Sequence, residues 1–473
     1  MVCRRLGQDR VSLFLHAKGY TVVDPEGRKS DEVKGEKYEV KLWVRMVNAA
    51  TCESPKDGEN GVDPQQRWKV PLCACLFEIH DLFRKSRDLS LNIDEDGLEL
   101  VIEKFKGREK ARLMNGLGAG DVAVDAMRVF PLCELPGVIQ ISDTRVIFHS
   151  LCSSSSKGGY SVDIGNIYCI RRRRYKLVHR ALELFYTSGE THSSLFFAVD
   201  DKNTVSFDGI IDKLLRLTRL DGSLLLDDVT EDWKRGSISN FDYLMALNDA
   251  AGRSFNDISQ YPIFPWVVAD YSSHELDLND PLSFRDISKP IAAVNEHRLS
   301  DALEMFSALR ASSNSPAWMY GSHYSNPGIV VYFKVRQCPE LMLRLQGRKF
   351  DSPNRMFHSI SSTWSSASSQ WPNDVKELIP ELYHPSGVSL LVNSKGVAMG
   401  KRSDGAQIDN VILPPWANGS PFEFIKKMEQ ALESDCVSSG LHKWINLVFG
   451  IHSRGRKAEK YHNVFYFMTY DDM

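Results

Sequence analysis

Between residues 128 and 220, short runs of alternating apolar and polar positions are separated by turn residues, which indicates β-strands with one buried face. The segment that follows them has apolar positions at the 3.6-residue period of an amphipathic helix. Several short strands closed by one helix predict a β-sandwich with a C-terminal helix. The predicted strands are Val138–Ile141, Arg145–Phe148, Asn166–Ile170, Ala181–Phe185 and Ser194–Val199. The helix positions are Phe207, Ile210, Ile211, Leu214 and Leu217.

From about residue 229 to the end, the apolar pattern becomes helical but irregular. Ser420 begins a capping box, with proline at the first helical position and Glu423 at the third. Residues 254–289 contain three prolines and many aromatic residues without a clear period. The sequence therefore predicts a mainly helical domain over 229–473 with a partly irregular core. Its predicted helices include Ser237–Gly252, Glu296–Arg310, Pro327–Leu345 and Asn354–Ser366.

The first 126 residues carry a weaker pattern. Residues 1–90 contain strand-like runs around a loop rich in Pro, Gly and acidic residues, which predicts a small β-rich or incomplete domain. Residues 91–126 combine a helical pattern with closely spaced glycines, so we predict a helix and a linker. The sandwich is then expected over 127–220, which makes the chain an α+β multidomain protein.

Composition narrows the classes of protein. The 473 residues have a formal net charge of −3, so no overall charge favours nucleic acid as a partner. No stretch approaches the roughly 20 apolar residues of a transmembrane helix, which favours a cytoplasmic chain that could bind a membrane peripherally. The nine cysteines include one close pair, Cys73 and Cys75, without a second pair. We therefore expect neither a metal site nor a cofactor.

Asn248 lies on the same helix face as Phe241, seven residues earlier. A buried asparagine must satisfy two N–H donors and a carbonyl, and the aperiodic segment 254–266 has backbone groups that need partners. We interpret Asn248, Arg253 and Asp257 as a polar network that holds this segment. A catalytic role for the Asn248 amide is the alternative interpretation.

A basic run is formed by Arg171, Arg172, Arg173 and Arg174, with Lys176 and Arg180 close behind. Since strand side chains alternate between faces, four successive arginines indicate a strand end or an edge strand. The segment 227–286 has the opposite charge, with 12 acidic and 4 basic residues. Docking of the two segments, binding of anionic phospholipid headgroups such as phosphoinositides, and plain solvated surface all remain open.

Catalytic motifs are not evident. Ser322 and His323 are adjacent, but the G-x-S-x-G nucleophile elbow is absent, and there is no P-loop or H-E-x-x-H sequence. The glycines near Gly116 do not form G-x-G-x-x-G. We therefore expect a protein that is not an enzyme.

The segment from residue 238 onward resembles a BEACH domain along its whole length. The matching stretches include Ser239–Leu244, Asn256–Pro262, Phe264–Trp266, Phe284–Pro290, Tyr320–Ser325, Lys376–Glu381, Leu413–Ala417 and Asn463–Tyr466. Phe130–Leu132, Pro136-Gly137 and Thr144–Phe148 resemble the GRAM/PH domain that precedes BEACH in the FAN-like subgroup, the factors associated with neutral sphingomyelinase activation.

The resemblance implies a helical BEACH domain with a partly unwound core, packed on the PH domain, and a groove that takes a protein or receptor-tail partner. It implies a scaffold in vesicle trafficking or receptor–sphingomyelinase signalling, associated with membranes. FAN-like members continue into WD repeats, whereas this sequence ends at Met473, so a truncated chain and a chain without a propeller both remain open. The candidate core network is Tyr243, Asn248, Arg253, Asp257, Gln260, Tyr261 and Trp266. The candidate motif residues are Arg285, Asp286, His323, Tyr324, Glu377 and Trp416.

Overall fold

The computed structural model describes residues 118–470, except 119, 132–133, 151–158, 177, 189–190, 200–204, 221–225, 313–314 and 348. The chain divides into two compact units, Met1–Gly222 and Ser223–Met473, called here the N-terminal and C-terminal units. The β-rich domain predicted at 1–90 lies outside the described residues, as does most of the segment predicted as helix and linker.

The described part of the N-terminal unit contains one antiparallel sheet of seven strands in the order β4-β3-β2-β1-β7-β6-β5. Its strands are β1 (Val122–Val129), β2 (Glu134–Ile141), β3 (Arg145–Ser150), β4 (Gly159–Asp163), β5 (Ile167–Tyr175), β6 (Val178–Ser188) and β7 (Thr191–Val199). Gly137 in β2 lies so close to the ring of Phe148 in the neighbouring strand β3 that a Cβ at position 137 would lie 2.4 Å from Phe148 Cζ. The Pro136-Gly137 sequence therefore needs glycine for packing rather than for its backbone angles.

One helix, α1 (Phe207–Thr218), follows the sheet, as its apolar period predicts. Ser206 caps its start by accepting a hydrogen bond from the Gly209 N–H, and Arg219 ends it in the left-handed conformation. Ile210, Ile211 and Leu214 pack into a core with inward-facing residues of the strands. The sequence did not predict β1 and β4, since the glycines before β1 indicated a linker.

The C-terminal unit is mostly helical. Its helices are α2 (Leu226–Lys234), α3 (Asn240–Ala250), α4 (Glu296–Ser312), α5 (Pro327–Lys334), α6 (Pro339–Leu345), α7 (Ile360–Ser365), α8 (Val388–Leu391), α9 (Pro421–Leu432), α10 (Asp435–Val448) and α11 (Gly455–Lys460). The prediction of a single helix over Pro327–Leu345 is wrong. It is broken after Lys334, and Pro339 starts a new helix because proline cannot continue the preceding one.

Extended backbone, rather than a sheet, runs through the middle of this unit. Residues 261–268 are almost completely buried, and the segment makes single bridges from Phe264 to Leu378 and from Val268 to Phe284. Two further bridges join Tyr320 to Phe465 and Ser359 to Ile412. A buried extended chain must find partners for its peptide groups one at a time, and side chains supply many of them.

Among the residues with a described position, no helix is both long enough and apolar enough to span a membrane.

Candidate functional site

The centre of the C-terminal unit is a buried ion pair between two of the predicted motif residues. Arg285 Nη1 donates to both carboxylate oxygens of Glu377, at 2.9 Å each, and the two side chains are 0% and 4% exposed. Arg285 Nη2 also donates to the carbonyl of Lys289 at 2.9 Å. Nη1 is thus shared between the two carboxylate oxygens, and a hydrogen bond between two charged groups is stronger than one between neutral groups.

Glu377 also holds two tryptophans. Its Oε2 accepts from the backbone N–H of Trp266 at 3.0 Å, and its Oε1 accepts from the indole of Trp444 at 3.2 Å. The indole of Trp266 donates to the carbonyl of Lys376 at 2.9 Å. A cavity lined by Glu377, Asn463, Trp444 and several apolar residues has a volume of about 10 Å³, which is about the room for one water molecule.

Asn248 lies in α3 and is 0% exposed. Its carbonyl oxygen accepts from the Ile263 N–H at 2.8 Å, and its Nδ2 donates to the carbonyls of Ile263 and Leu244 at 3.0 and 2.8 Å. Both donors and the acceptor of the amide are thus used on backbone. The structure therefore brings Asn248 to the extended segment and leaves no amide N–H directed at a ligand.

Arg253 and Tyr261 meet at the start of that segment. Arg253 Nη1 donates to the Tyr261 carbonyl at 2.8 Å. The Tyr261 hydroxyl donates to Glu381 at 2.5 Å, and Lys334 Nζ donates to the same carboxylate at 2.7 Å. Burial, followed by the charge of Glu381, raises the pKa of Tyr261, so the phenol stays protonated.

The remaining members of the predicted network play local roles. Asp257 caps a short turn by accepting from the Ser259 N–H at 2.8 Å, and the carbonyl of Gln260 accepts from the Ser254 N–H at 2.9 Å. Tyr243 stacks on Trp233 with ring centroids 4.4 Å apart. These residues lie around the segment, but Asp257 and Gln260 are only half-buried.

Two predicted motif residues lie away from the ion pair. The Trp416 indole donates to the Asp270 carbonyl at 2.9 Å, and its ring stacks on Phe424 at 5.5 Å. Asp286 is exposed and accepts from the Ser288 N–H at 3.1 Å. Asp286 therefore shapes a surface turn, whereas its neighbour Arg285 reaches the core.

His323 is surrounded by aromatic rings. Its centroid lies 3.9 Å from that of Tyr324 and 4.5 Å from that of Phe465. Burial, with smaller effects of the Arg253 and Arg454 charges, lowers the pKa of His323 to about 3. The Tyr324 hydroxyl donates to the Val448 carbonyl at 3.3 Å, so this pair packs the C-terminal segment onto the core.

Two buried arginines were missed by sequence reasoning. Arg298 donates to the carbonyls of Ala367, Pro372 and Asp374. Arg336 donates to those of Asp409 and Phe357 at 2.7 and 2.6 Å, and burial lowers its pKa to about 10, which leaves it charged at neutral pH. The burial of Arg298 could have been predicted from the sequence, because Arg298 lies on the same face of α4 as Ala302 and Phe306, at a spacing of four residues.

The basic run lies in β5, at an edge of the N-terminal sheet. Arg173 is 3% exposed and its Nε donates to Glu183 at 2.8 Å, while Arg172 bonds Asp208 at 2.5 Å on the surface. Lys176 lies 3.5 Å from Glu134. Arg171 and Arg174 also have interaction partners. The run is therefore a mixture of one buried ion pair and several surface charges.

The geometry defines a class: a helical unit around a buried extended core, in which arginine, asparagine and tryptophan side chains bind the backbone. Residues 231–473 match the family model of the Beige/BEACH domain, which is just over half of the chain. The chain therefore belongs to the BEACH domain family.

Curated relatives support the same assignment. The chain is 39% identical over 327 residues to BEACH domain-containing protein B of Arabidopsis thaliana, which covers 65% of this chain and 12% of that protein. It is 45% identical over 247 residues to Beige protein homolog 1 of Saccharomyces cerevisiae, covering 51% and 11%. It is 40% identical over 464 residues to a putative neurobeachin homolog of Caenorhabditis briggsae, covering 90% and 17%. The chain thus spans less than a fifth of the length of these relatives.

Proposed function

We propose that this chain is a non-catalytic scaffold that binds a protein partner in membrane trafficking. Membership of the BEACH family supports the class. The observation that carries the proposal is the way the motif residues use their polar groups. The polar groups of Arg285 and Glu377 bind each other and the backbone, and the amide of Asn248 binds the backbone. The cavity beside them is too small for a substrate.

The nucleophile candidates support the same conclusion. Ser322 Oγ donates to the carbonyl of His323 rather than to an imidazole nitrogen. Burial raises the pKa of the Cys338 thiol to about 12, so the reactive thiolate does not form at neutral pH. A small-molecule site ordinarily needs a cavity of a few hundred Å³, far above the cavity beside Glu377.

A cell experiment tests the scaffold against an enzyme. In cells that lack the endogenous chain, we expect an altered distribution of vesicle markers, which the wild type and Ser322→Ala restore equally. The measurement is the marker distribution together with the melting temperature of each purified variant. If Ser322→Ala folds normally but does not restore the distribution, hydroxyl chemistry is required and the non-catalytic proposal is wrong.

The finer parts of the proposal are the kinship with FAN-like proteins, a GRAM/PH domain in the N-terminal unit, sphingomyelinase-linked signalling and a cytoplasmic location. The sheet followed by one helix supports the second of these. The partner groove and the docking of the basic run onto the acidic segment stay predictions.

Binding of anionic phospholipids is a second candidate, because the side chains of Arg172 in the edge strand and of Lys176 directly after it are about half or more exposed. The variant to test is Arg171→Ser with Arg172→Ser and Arg174→Ser, and it retains Arg173, whose loss would leave Glu183 buried and unpaired. Since each basic residue near an anionic surface contributes about 1 kcal/mol, we expect the three changes to lower vesicle affinity about 100-fold.

The measurement is co-sedimentation with phosphatidylserine vesicles at low and physiological salt. Lys234→Ser removes an exposed charge from the C-terminal unit and serves as the matched control. Wild-type protein that stays in the supernatant at low salt would exclude this candidate.

A further inference from the structure

A concentration of positive charge lies near the end of the C-terminal unit. Residues 451–462 contain four Lys or Arg and one acidic residue. That acidic residue, Glu459, forms an ion pair with Arg310 of α4 at 2.7 Å. Among the described residues, no carboxylate lies within ion-pair distance of the three exposed bases of α11, which are Arg456, Lys457 and Lys460. The charge of these bases is therefore not neutralised by ion pairs within the described part of the chain.

A turn beside α11 adds exposed apolar and aromatic groups to these charges. The Ser453 N–H donates to the Gly450 carbonyl at 3.1 Å, which closes a turn with Ile451 and His452 at its tip. The Ile451 side chain belongs to the exposed large apolar residues and is 58% exposed. The ring of His452 stacks on Tyr461, the residue directly after α11, with centroids 3.6 Å apart. The turn and the end of the helix therefore share one surface.

Two further observations place the bases of α11 at this turn. Burial, followed by the charges of Lys457 and Lys460, lowers the pKa of His452, so both ammonium groups lie close to the imidazole. The side-chain amide of Asn463, 2% exposed, donates to the His452 carbonyl at 3.0 Å, and its backbone N–H donates to the Ala458 carbonyl of α11 at 2.8 Å. A buried asparagine thus fixes the turn to the helix, which leaves little conformational entropy to lose on binding.

These contacts define one surface, called here the α11 surface: Ile451, His452, Arg456, Lys457, Lys460 and Tyr461. Arg456 belongs to it because it lies four positions before Lys460, on the same helix face. Bases attract an anionic bilayer, and the boundary between headgroups and acyl chains takes up apolar and aromatic side chains. A strongly acidic peptide would match the charges but would offer little apolar surface to Ile451. The combination therefore favours a membrane.

We propose that the α11 surface binds the surface of an anionic phospholipid membrane, with its bases at the headgroups and Ile451 at the acyl boundary. The site lies in the C-terminal unit, whereas the basic run of β5 lies in the N-terminal unit, so each has its own variants. The proposal goes beyond the scaffold function and does not depend on it. It gives the C-terminal unit a direct contact with a bilayer.

The test is co-sedimentation of the full 473-residue chain with phosphatidylcholine vesicles, with and without phosphatidylserine, at low and physiological salt. We expect binding only to the anionic vesicles, and weaker binding at higher salt. Arg456→Gln with Lys457→Gln and Lys460→Gln should lower the affinity about 100-fold, because each base near the surface contributes similarly to binding. Glutamine is a good helix former, so the melting temperature should stay unchanged. Ile451→Ser keeps every charge and should lower the affinity roughly fivefold.

The matched control removes three exposed lysines outside residues 451–462, by Lys349→Gln, Lys401→Gln and Lys426→Gln. Its affinity should stay close to that of the wild type. The proposal is wrong if this control loses as much affinity as the α11 variant, or if the wild type stays in the supernatant with anionic vesicles at low salt.

Two other outcomes would also contradict the proposal. Loss of binding only in the serine variant of the basic run would assign membrane binding to the N-terminal unit. Tighter binding of a capped ten-residue polyglutamate peptide than of the vesicles would assign the α11 surface to an acidic protein segment. Neither outcome touches the scaffold proposal, which Ser322→Ala tests separately in cells.

Discussion

At the scale of single residues, the C-terminal unit depends on one carboxylate. Glu377 receives hydrogen bonds from Arg285, Trp266 and Trp444, and it supplies the carboxylate partner of the fully buried Arg285. Removing one partner of a buried ion pair leaves an uncompensated charge, which costs about 3–5 kcal/mol. We therefore expect Glu377→Gln to lower the urea midpoint of unfolding of this unit sharply.

A double-mutant cycle separates the pair from simple loss of packing. Arg285→Met combined with Glu377→Gln should cost clearly less than the sum of the two single changes, because the second change removes the unpaired charge that the first creates. Lys234→Met breaks a surface pair whose side chains are 58% and 59% exposed, and should leave the urea midpoint close to that of the wild type. Additive single effects at Arg285 and Glu377 would contradict the ion-pair argument.

At the scale of elements, the sequence pattern predicted the features that depend on residues close in sequence, namely the position of a helix and its N-terminal cap. The 3.6-residue pattern located α1, and the Ser-Pro-x-Glu sequence located the start of α9, where Ser420 accepts from the Glu423 N–H. The same reasoning missed β4, a strand of five residues. It also joined α5 to α6, since the apolar pattern continues across the proline break and only Pro339 marks it.

The polar contacts between elements could not be predicted in this way. Arg285 and Glu377 are 92 positions apart, and neither sequence neighbourhood indicates its partner. The start of α3 shows the same limit. Ser239 is a readable cap, but the first two N–H groups of the helix, at Asn240 and Phe241, donate to Glu433, which is more than 190 positions away. Such partners are set by tertiary packing. The sequence therefore identified Arg285 and Glu377 as motif residues but did not show that they bind each other.

At the scale of the whole molecule, stability should depend on pH through His323. The aromatic surroundings lower its folded-state pKa to about 3, while the pKa of an unfolded histidine is about 6.5. Below pH 6.5 the unfolded chain therefore binds a proton that the folded chain does not, and the stability is lost progressively as the pH falls toward 3. The limiting slope for one such group is about 1.4 kcal/mol per pH unit.

His323 as a residue is not fully buried, so the observed slope should be smaller than this limit. We expect the melting temperature to fall between pH 7 and pH 5, and His323→Phe to flatten that dependence while keeping the contacts with Tyr324 and Phe465. His297→Gln is the matched control, because the His297 side chain is 87% exposed and should leave the slope unchanged. A His323→Phe curve parallel to that of the wild type would assign the acid sensitivity to another histidine, such as His149, whose pKa is also lowered by burial. Carboxylates such as Asp270, whose pKa is lowered by bonds from Ser272 and Ser273 despite partial burial, lose their contribution only at more acidic pH, as the pH falls through that depressed pKa. The interval between pH 7 and pH 5 therefore reports on histidines, and the His323→Phe variant separates His323 from the others.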